Sequence, residues 1–125
     1  MHKSVYRYLF QKIITLTSTL MSTRQAKQIA KQYSKVLQSE HIPFSHMYLF
    51  GSRAKGTERS DSDIDIAVIL KGKQKDIFDM HMRLARLALG VDMRIEPIVL
   101  EKGDFKKGEE SMLAHEVQEY GIRIV

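Results

Sequence analysis

A glycine–serine pair and two spaced aspartates lie within one fifteen-residue stretch of the sequence. Gly51 and Ser52 allow a turn tight enough for backbone N–H groups and a hydroxyl to face a phosphate. Asp63 and Asp65 stand at the start of the apolar run 66–70, which is typical of a buried strand. Side chains alternate along a strand, so both carboxylates point the same way. Mg²⁺ that also holds phosphate oxygens needs such carboxylates, and the stretch therefore indicates phosphoryl chemistry on a nucleotide.

Each half of this stretch is weak evidence by itself. A Gly-Ser turn is usually an ordinary turn, and an Asp-x-Asp pair is often a solvated strand entrance. The two occur here in a fixed order, with an apolar strand directly after them. This combination favours a functional site over two unrelated local features.

The whole stretch resembles the signature of the DNA polymerase β nucleotidyltransferase superfamily. The resemblance is greatest to its smallest branch, the minimal nucleotidyltransferases of prokaryotes. One mild departure is Lys55, where an arginine is frequent in that branch. The residues that carry the resemblance are Gly51-Ser52-x-Ala54-x-Gly56 and Ser62-Asp63-x-Asp65.

The resemblance implies a site for a nucleoside triphosphate and Mg²⁺, with two ions expected. In such a site one ion lowers the pKa of an acceptor hydroxyl, and the other stabilises the oxygens that leave with pyrophosphate. Asp63 and Asp65 would be catalytic and metal-binding. The implied nucleotide-binding residues are Gly51, Ser52, Arg53 and Lys55.

A third carboxylate on a neighbouring strand completes such a site, and the segment from Val91 to about Leu100 offers two. Its alternation of apolar and polar residues predicts a half-buried strand with Asp92, Arg94 and Glu96 on one face. Asp-x-Arg, with a proline three residues after the arginine, resembles the third-aspartate strand of the superfamily. The resemblance favours Asp92 over Glu96 as the third catalytic and metal-binding acid, with Arg94 able to pair with a carboxylate. Without the first motif, both acids would be assigned to a solvent-facing strand edge. The residues predicted to pack beneath are Val91, Met93 and Ile95.

Length and composition indicate one small domain. The chain has 125 residues, of which 43% are apolar, enough for one modest core. We predict a minimal nucleotidyltransferase domain at residues 21–125 and an N-terminal extension at 1–20. The extension is either an extra helix, packed on the domain or a partner, or the product of an over-extended start site. Lys12 interrupts its apolar run, so no membrane span is expected. No small-residue cleavage site follows a clean apolar core, so no signal peptide is expected. The absence of cysteine suits the cytoplasm.

The net charge of +5 favours an anionic partner, although solubility is the usual reason for such a charge. Lysines gather in the segment 71–75 and at Lys102, Lys106 and Lys107. Nucleotide phosphates or an acidic protein are the specific alternatives. No aromatic residues are interleaved with these lysines, so a nucleic-acid-binding surface is not expected.

Local signals predict an α/β (α+β) fold, a mixed β-sheet with helices mainly on one face, as in the polymerase β-like nucleotidyltransferases. The helix at 76–89 is predicted to direct Ile77, Phe78, His81, Leu84, Ala85 and Ala88 inward. The predicted elements are a helix capped by Ser22 or Thr23, a strand Met47–Phe50, a strand Ile64–Leu70, a helix from about Asp76 to Leu89, a strand from Val91 to about Leu100, a helix from about Glu109 to Tyr120 and a strand Ile122–Val125.

The resemblance implies transfer of a nucleotidyl group, adenylyl from ATP, to an acceptor hydroxyl. Minimal nucleotidyltransferases often pair with a helical HEPN protein as antitoxin and toxin, and some adenylylate a tyrosine of the toxin. Two alternatives stay open. The chain could be a non-catalytic antitoxin that acts by contact, or a small-molecule nucleotidyltransferase in an oligomer whose second subunit contacts the substrate. The intact acidic triad argues against the first, and the lack of a substrate domain argues against the second.

Overall fold

The computed structural model describes residues 2–51, 54 and 63–125, with the side chains of 2–4 and 14–22 excepted. A 3₁₀-helix, Lys102–Phe105, was not among the predicted elements. The other elements in chain order are α1 (His2–Ser39), β1 (Phe44–Phe50), β2 (Ile64–Leu70), α2 (Ile77–Leu89), β3 (Ile95–Leu100), α3 (Met112–Tyr120) and β4 (Ile122–Arg123).

The four described strands form one mixed sheet in the order β3-β2-β1-β4. β1 runs antiparallel to both of its neighbours, β2 and β4. β2 and β3 are parallel, and α2 provides the crossover connection that a parallel pair requires. The predicted mixed sheet is therefore confirmed.

The residues of β2 divide between the two sides of this sheet. Ile64, Ile66 and Val68 are buried on the side covered by α1 and α2, which we call the α1 side. Ala67 and Ile69 are buried on the opposite side, the α3 side, against α3. Because β2 is covered on both faces, its sequence is a continuous apolar run rather than an alternating one.

A single long helix forms the N-terminal part of the chain. The predicted start at Ser22 or Thr23 is wrong, because α1 begins at His2 and continues to Ser39. No glycine or proline occurs before Pro43, so the sequence contains no residue that would end the helix near position 22. Its C-terminal half packs on the core through the buried residues Ala26, Ala30, Tyr33 and Leu37.

Tyr33 anchors α1 to α2 through a buried hydrogen bond, its hydroxyl donating to the Leu84 carbonyl oxygen at 2.8 Å. Burial raises the pKa of the Tyr33 phenol, so it remains a donor at any ordinary pH. We expect Tyr33→Phe to lower the free energy of unfolding by about 1 kcal/mol, the usual net value of one hydrogen bond. Urea denaturation measures this loss, and Tyr6→Phe, at an exposed position, is the control. If Tyr33→Phe were as stable as Tyr6→Phe, the Tyr33 hydrogen bond would not contribute to stability.

α2 begins where it was predicted, but its first half is exposed. The Asp76 carboxylate accepts a hydrogen bond from the Asp79 N–H at 2.9 Å and caps the helix. Leu84 and Ala88 are buried as predicted, whereas Phe78 and the nearby Ile77 and His81 are exposed. The helical period identifies which side of a helix faces inward, but not how far its neighbours extend along it.

α3 covers the opposite side of the sheet. It begins at Met112 rather than Glu109, because the Ser111 hydroxyl accepts a hydrogen bond from the Ala114 N–H at 3.1 Å and caps it there. It ends at Tyr120, as predicted, with Gly121 as its C-cap. Among the described elements, α1 and α2 lie on one side and α3 on the other, so the prediction of helices mainly on one face is confirmed.

The boundaries of β1 and β4 differ from prediction by a few residues. β1 begins at Phe44, three residues before the predicted Met47, and pairs with β2 as far as Leu70. β4 comprises Ile122–Arg123, so the predicted extension to Val125 is only partly realised. In the part of the chain that the structure describes, no helix is long and apolar enough to cross a membrane.

Candidate active site

Gly51 follows the last residue of β1 and lies against Asp65 of β2. The antiparallel register sets Phe50 opposite Asp65, which brings the turn to this carboxylate. Gly51 has φ +70°, a left-handed conformation that side chains disfavour, and a Cβ at this position would overlap Asp65 Oδ2. Glycine is therefore required at position 51 for two reasons: its backbone conformation and the close approach of the backbone to the Asp65 carboxylate.

Gly51→Ala should displace the Asp65 carboxylate, because the new Cβ and Oδ2 cannot occupy the same space. We expect Mg²⁺-dependent ATP binding to fall below detection and the free energy of unfolding to fall by about 1–2 kcal/mol through the strained backbone. Titration calorimetry and urea denaturation measure the two effects. Gly103→Ala is the matched control, since a Cβ there meets no atom within 4 Å. ATP affinity equal to that of the parent would show that the turn does not support the site.

Asp65 lies on the α3 side of β2 in a partly buried, negatively charged environment. Burial, followed by the negative charges of Glu96, Asp63 and Glu116, together raise the pKa of the Asp65 carboxyl to about 6. Perturbed carboxyl groups of this kind are concentrated at functional sites, since a bound cation relieves the repulsion. Asp65 is therefore the centre of the candidate site.

Glu96 is the nearest partner of Asp65 in the sheet register. β2 and β3 run parallel with Asp65 opposite Glu96, and laterally paired residues of adjacent strands direct their side chains to the same face. Ile98 and Leu100 continue this face of β3 and pack on the α3 side. The α3 side thus carries an acidic pair, Asp65 with Glu96.

Asp92 lies outside β3, which begins at Ile95 rather than at the predicted Val91. Its Oδ1 accepts hydrogen bonds from the Arg94 backbone N–H at 2.8 Å and from Nε at 3.1 Å, and its Oδ2 accepts one from Nη2 at 3.0 Å. A carboxylate that binds the N–H two residues on forms a turn and prevents strand pairing. The predicted shared face of Asp92, Arg94 and Glu96 is therefore wrong, and Met93 is 85% exposed instead of packed beneath.

The pairing of Arg94 with a carboxylate follows the prediction, with Asp92 as the partner. This bidentate contact raises the pKa of the Arg94 guanidinium further above its ordinary value. The Arg94 carbonyl oxygen also accepts a hydrogen bond from the Ile64 N–H at 2.7 Å. This hydrogen bond links the turn at 92–94 to the first residue of β2, which follows Asp63 directly.

Asp63 precedes β2 and is exposed. It stands two positions before Asp65, and its charge contributes to the raised pKa of that carboxyl, so the two acids are electrostatically coupled. The other predicted nucleotide-binding residues, Ser52, Arg53 and Lys55, lie outside the described residues. The fold thus brings together Gly51, Asp63 and Asp65 from the predicted set.

The chemistry of the donor set fits Mg²⁺, which prefers carboxylate oxygens. Within residues 2–51, 54 and 63–125, no three His, Asp or Glu side chains stand close enough together to hold a metal ion. The side chains of Asp63, Asp65 and Glu96 must therefore rotate towards each other to form a three-carboxylate cluster. Repulsion among the carboxylates, evident in the raised pKa of Asp65, opposes that approach until a cation is present.

Glu116 of α3 is a site neighbour that the sequence did not reveal. Its negative charge acts on Asp65 from α3, which packs on the same side of the sheet, and contributes to the raised pKa of that carboxyl. No motif surrounds Glu116, because its position depends on how α3 packs across the sheet. The only signal in the sequence is that Val117, the next residue, belongs to the inward face of α3.

Comparisons with known proteins agree with this geometry. A family model described as Polymerase beta, Nucleotidyltransferase matches residues 25–125, which include every residue of the candidate site. A protein of Methanocaldococcus jannaschii named putative protein adenylyltransferase MJ0141 is 30% identical over 104 residues, 78% of this chain and 93% of that protein. The crystal structure of a putative nucleotidyltransferase from Sulfolobus solfataricus matches with TM-score 0.60 and 26% identity over 85% of each chain. The crystal structure of a toxin-antitoxin with AMP-PNP matches with TM-score 0.55 and 26% identity, over 76% of this chain and 72% of that chain.

Proposed function

This chain belongs to the polymerase beta nucleotidyltransferase family, and we propose on that premise that it transfers an adenylyl group from ATP to a hydroxyl of a partner protein. One relative is named as a protein adenylyltransferase, which supports a protein acceptor. One structural neighbour is a toxin-antitoxin that contains AMP-PNP, an ATP analogue, which supports ATP as the donor.

The observation that carries the proposal is the acidic pair of Asp65 and Glu96 beside the backbone of Gly51. A carboxylate whose pKa is raised to about 6 by burial and by like charges is prepared for a cation rather than for a structural ion pair. Mg²⁺ bound there would neutralise the phosphate charge and acidify the acceptor hydroxyl. Asp63 and Asp65 would hold the metal, and Gly51 would leave room for the triphosphate next to them.

The third carboxylate of the proposed site is Glu96. It is the lateral partner of Asp65 in the sheet, whereas both oxygens of Asp92 accept hydrogen bonds from Arg94. Asp92, the residue predicted from the sequence, would then position β3 through the turn at 92–94. It remains the alternative third ligand, and the two assignments predict opposite mutant phenotypes.

The phosphate-binding residues proposed from the sequence remain Gly51, Ser52, Arg53 and Lys55. Ser52→Ala should weaken triphosphate binding by about 1–2 kcal/mol, the usual value of one charge-assisted hydrogen bond. Arg53 and Lys55 would add positive charge near the phosphates.

The proposed acceptor is a tyrosine hydroxyl of a HEPN-type helical toxin, and the chain would act as its antitoxin in the cytoplasm. Reaction balance requires the tyrosine oxygen to attack the α-phosphorus of ATP. The bond to the bridging oxygen breaks, pyrophosphate leaves, and the hydroxyl proton passes to solvent or a nearby base. A toxin silenced by modification, rather than by binding alone, needs only a substoichiometric amount of this chain.

The test is incubation of the chain with α-labelled ATP, MgCl₂ and the product of the adjacent reading frame, followed by intact mass measurement. We expect one added adenylyl group on that product and none with α,β-methylene-ATP, in which the bond that must break is replaced. Transfer by Asp65→Asn should be absent. Tight complex formation without label transfer would contradict the proposal and favour a non-catalytic antitoxin. Label transfer to a small molecule would show that the acceptor is not a protein.

A further inference from the structure

The charged side chains of α1 are all basic. Glu40 is the first acidic residue of the sequence, so the 38 residues of α1 contain none. Since acidic side chains are absent, no ion pair within the helix offsets its positive charge, and its basic residues favour anionic surfaces. Its basic residues are Lys3, Arg7, Lys12, Arg24, Lys27, Lys31 and Lys35.

The N-terminal part of α1 carries a stripe of large apolar side chains that the described domain does not cover. They recur at intervals of three, four and seven residues, which places them on one face of the helix. Their exposed fractions lie between 49% and 71%, so each offers substantial apolar area to a partner. This apolar stripe consists of Val5, Tyr6, Leu9, Phe10 and Ile13.

A basic row follows the apolar stripe along the same helix. Arg24, Lys27, Lys31 and Lys35 form no ion pair with any described carboxylate. Lys27, Lys31 and Lys35 are spaced four residues apart, and like charges at that spacing destabilise a helix by about 0.2–0.5 kcal/mol per pair. Repulsion within the basic row reduces the stability of the isolated chain. A binding partner with negative charges would offset this repulsion.

The apolar stripe and the basic row lie on one continuous face of α1. Eleven residues separate Ile13 from Arg24, which is about three helical turns, so both side chains leave the axis in nearly the same direction. The buried residues that attach α1 to the core, such as Ala30 and Tyr33, lie on a different face. From Val5 to Lys35 this outer face is about 45 Å long at 1.5 Å per residue.

We propose that the outer face of α1 is the docking surface for an acidic amphipathic helix of another protein. The apolar stripe would pack against apolar residues of that helix, and the basic row would pair with its carboxylates. A second copy of this chain is disfavoured, since two such faces would bring like charges together. A membrane surface is disfavoured as well, because an interfacial helix buries one apolar face along its whole length, whereas this same face is basic from Arg24 to Lys35.

The test uses the full chain and a synthetic 30-residue helical peptide with Leu at heptad core positions and Glu at the flanking ones. Fluorescence anisotropy at low and moderate salt should show saturable binding that weakens as salt rises. Phe10→Ser and Lys31→Gln should each weaken it at least tenfold. The matched controls are Phe78→Ser and Lys73→Gln, exposed residues of the same types elsewhere on the chain, which should bind like the parent.

Four outcomes would overturn the proposal. The first is equal binding of a scrambled peptide with the same charge, which would leave only non-specific attraction. The second is equal loss in the control variants. The third is sedimentation as a dimer that Phe10→Ser dissociates, which would assign the face to a second copy. The fourth is tighter binding to phosphatidylserine vesicles or to duplex RNA than to the peptide, with the same dependence on Phe10 and Lys31.

Discussion

Asp65→Asn should abolish Mg²⁺-dependent ATP binding and adenylyl transfer while leaving the fold intact. The variant loses the charge at the centre of the acidic site and keeps the shape of the side chain. Titration calorimetry with Mg²⁺ and ATP should show no saturable heat. Glu119→Gln, an exposed acidic position of α3, is the control and should bind like the parent. Unchanged affinity in Asp65→Asn would remove Asp65 from the metal site.

The same variant should be more stable than the parent at neutral pH when metal is absent. The pKa of Asp65 is raised from its ordinary 3.8 to about 6, so the folded parent holds this proton more tightly than the unfolded chain. This contribution to stability is complete below about pH 4 and is lost as the pH rises to about 6. Asparagine does not ionise, so Asp65→Asn should be more stable than the parent above pH 6. The two proteins should be equally stable near pH 4.

Thermal melts in EDTA at several pH values measure this difference. Adding Mg²⁺ and ATP should stabilise the parent and not Asp65→Asn, because a ligand stabilises only the state that binds it. A melting temperature of Asp65→Asn below that of the parent at pH 7 would contradict the raised pKa as the source of the effect.

The parts of the site that depend on local sequence were predictable. The strand Ile64–Leu70 contains an apolar run of strand length, and the position of Asp63 and Asp65 before that run assigned them to its start. Gly51 was assigned to a tight turn because glycine adopts positive φ, and the turn has that conformation. Family and fold class, inferred from these residues, are confirmed.

The parts that depend on pairing between distant segments were not predictable. Alternation fixes which residues of β3 share a face, but not which of them stands opposite Asp65 in β2. The turn at Asp92 illustrates the difficulty, since a polar residue in an alternating pattern can cap a turn as well as extend a strand. Glu116 was missed for a related reason, because the packing of α3 across the sheet leaves no local pattern.

The second prediction with a large expected effect concerns which residue, Glu96 or Asp92, supplies the third carboxylate of the site. Glu96→Gln should reduce adenylyl transfer by about 100-fold or more, the expected result of losing about 3 kcal/mol of metal-mediated stabilisation in the transition state. Its stability should be unchanged or slightly higher, since Glu96 is exposed and repels Asp65. Nucleotide affinity should fall less than transfer, because Asp63 and Asp65 remain to hold the Mg²⁺-ATP complex.

Asp92→Asn is the paired measurement and should show the reverse pattern. Asparagine can still accept the Arg94 backbone N–H, but the charge that holds the guanidinium is gone, so we expect a loss of about 1 kcal/mol in stability and a smaller loss of transfer. Urea denaturation and label transfer from α-labelled ATP separate the two residues. A result in which Asp92→Asn abolishes transfer at full stability, while Glu96→Gln transfers like the parent, would make Asp92 the third ligand and require the turn at 92–94 to open when metal binds.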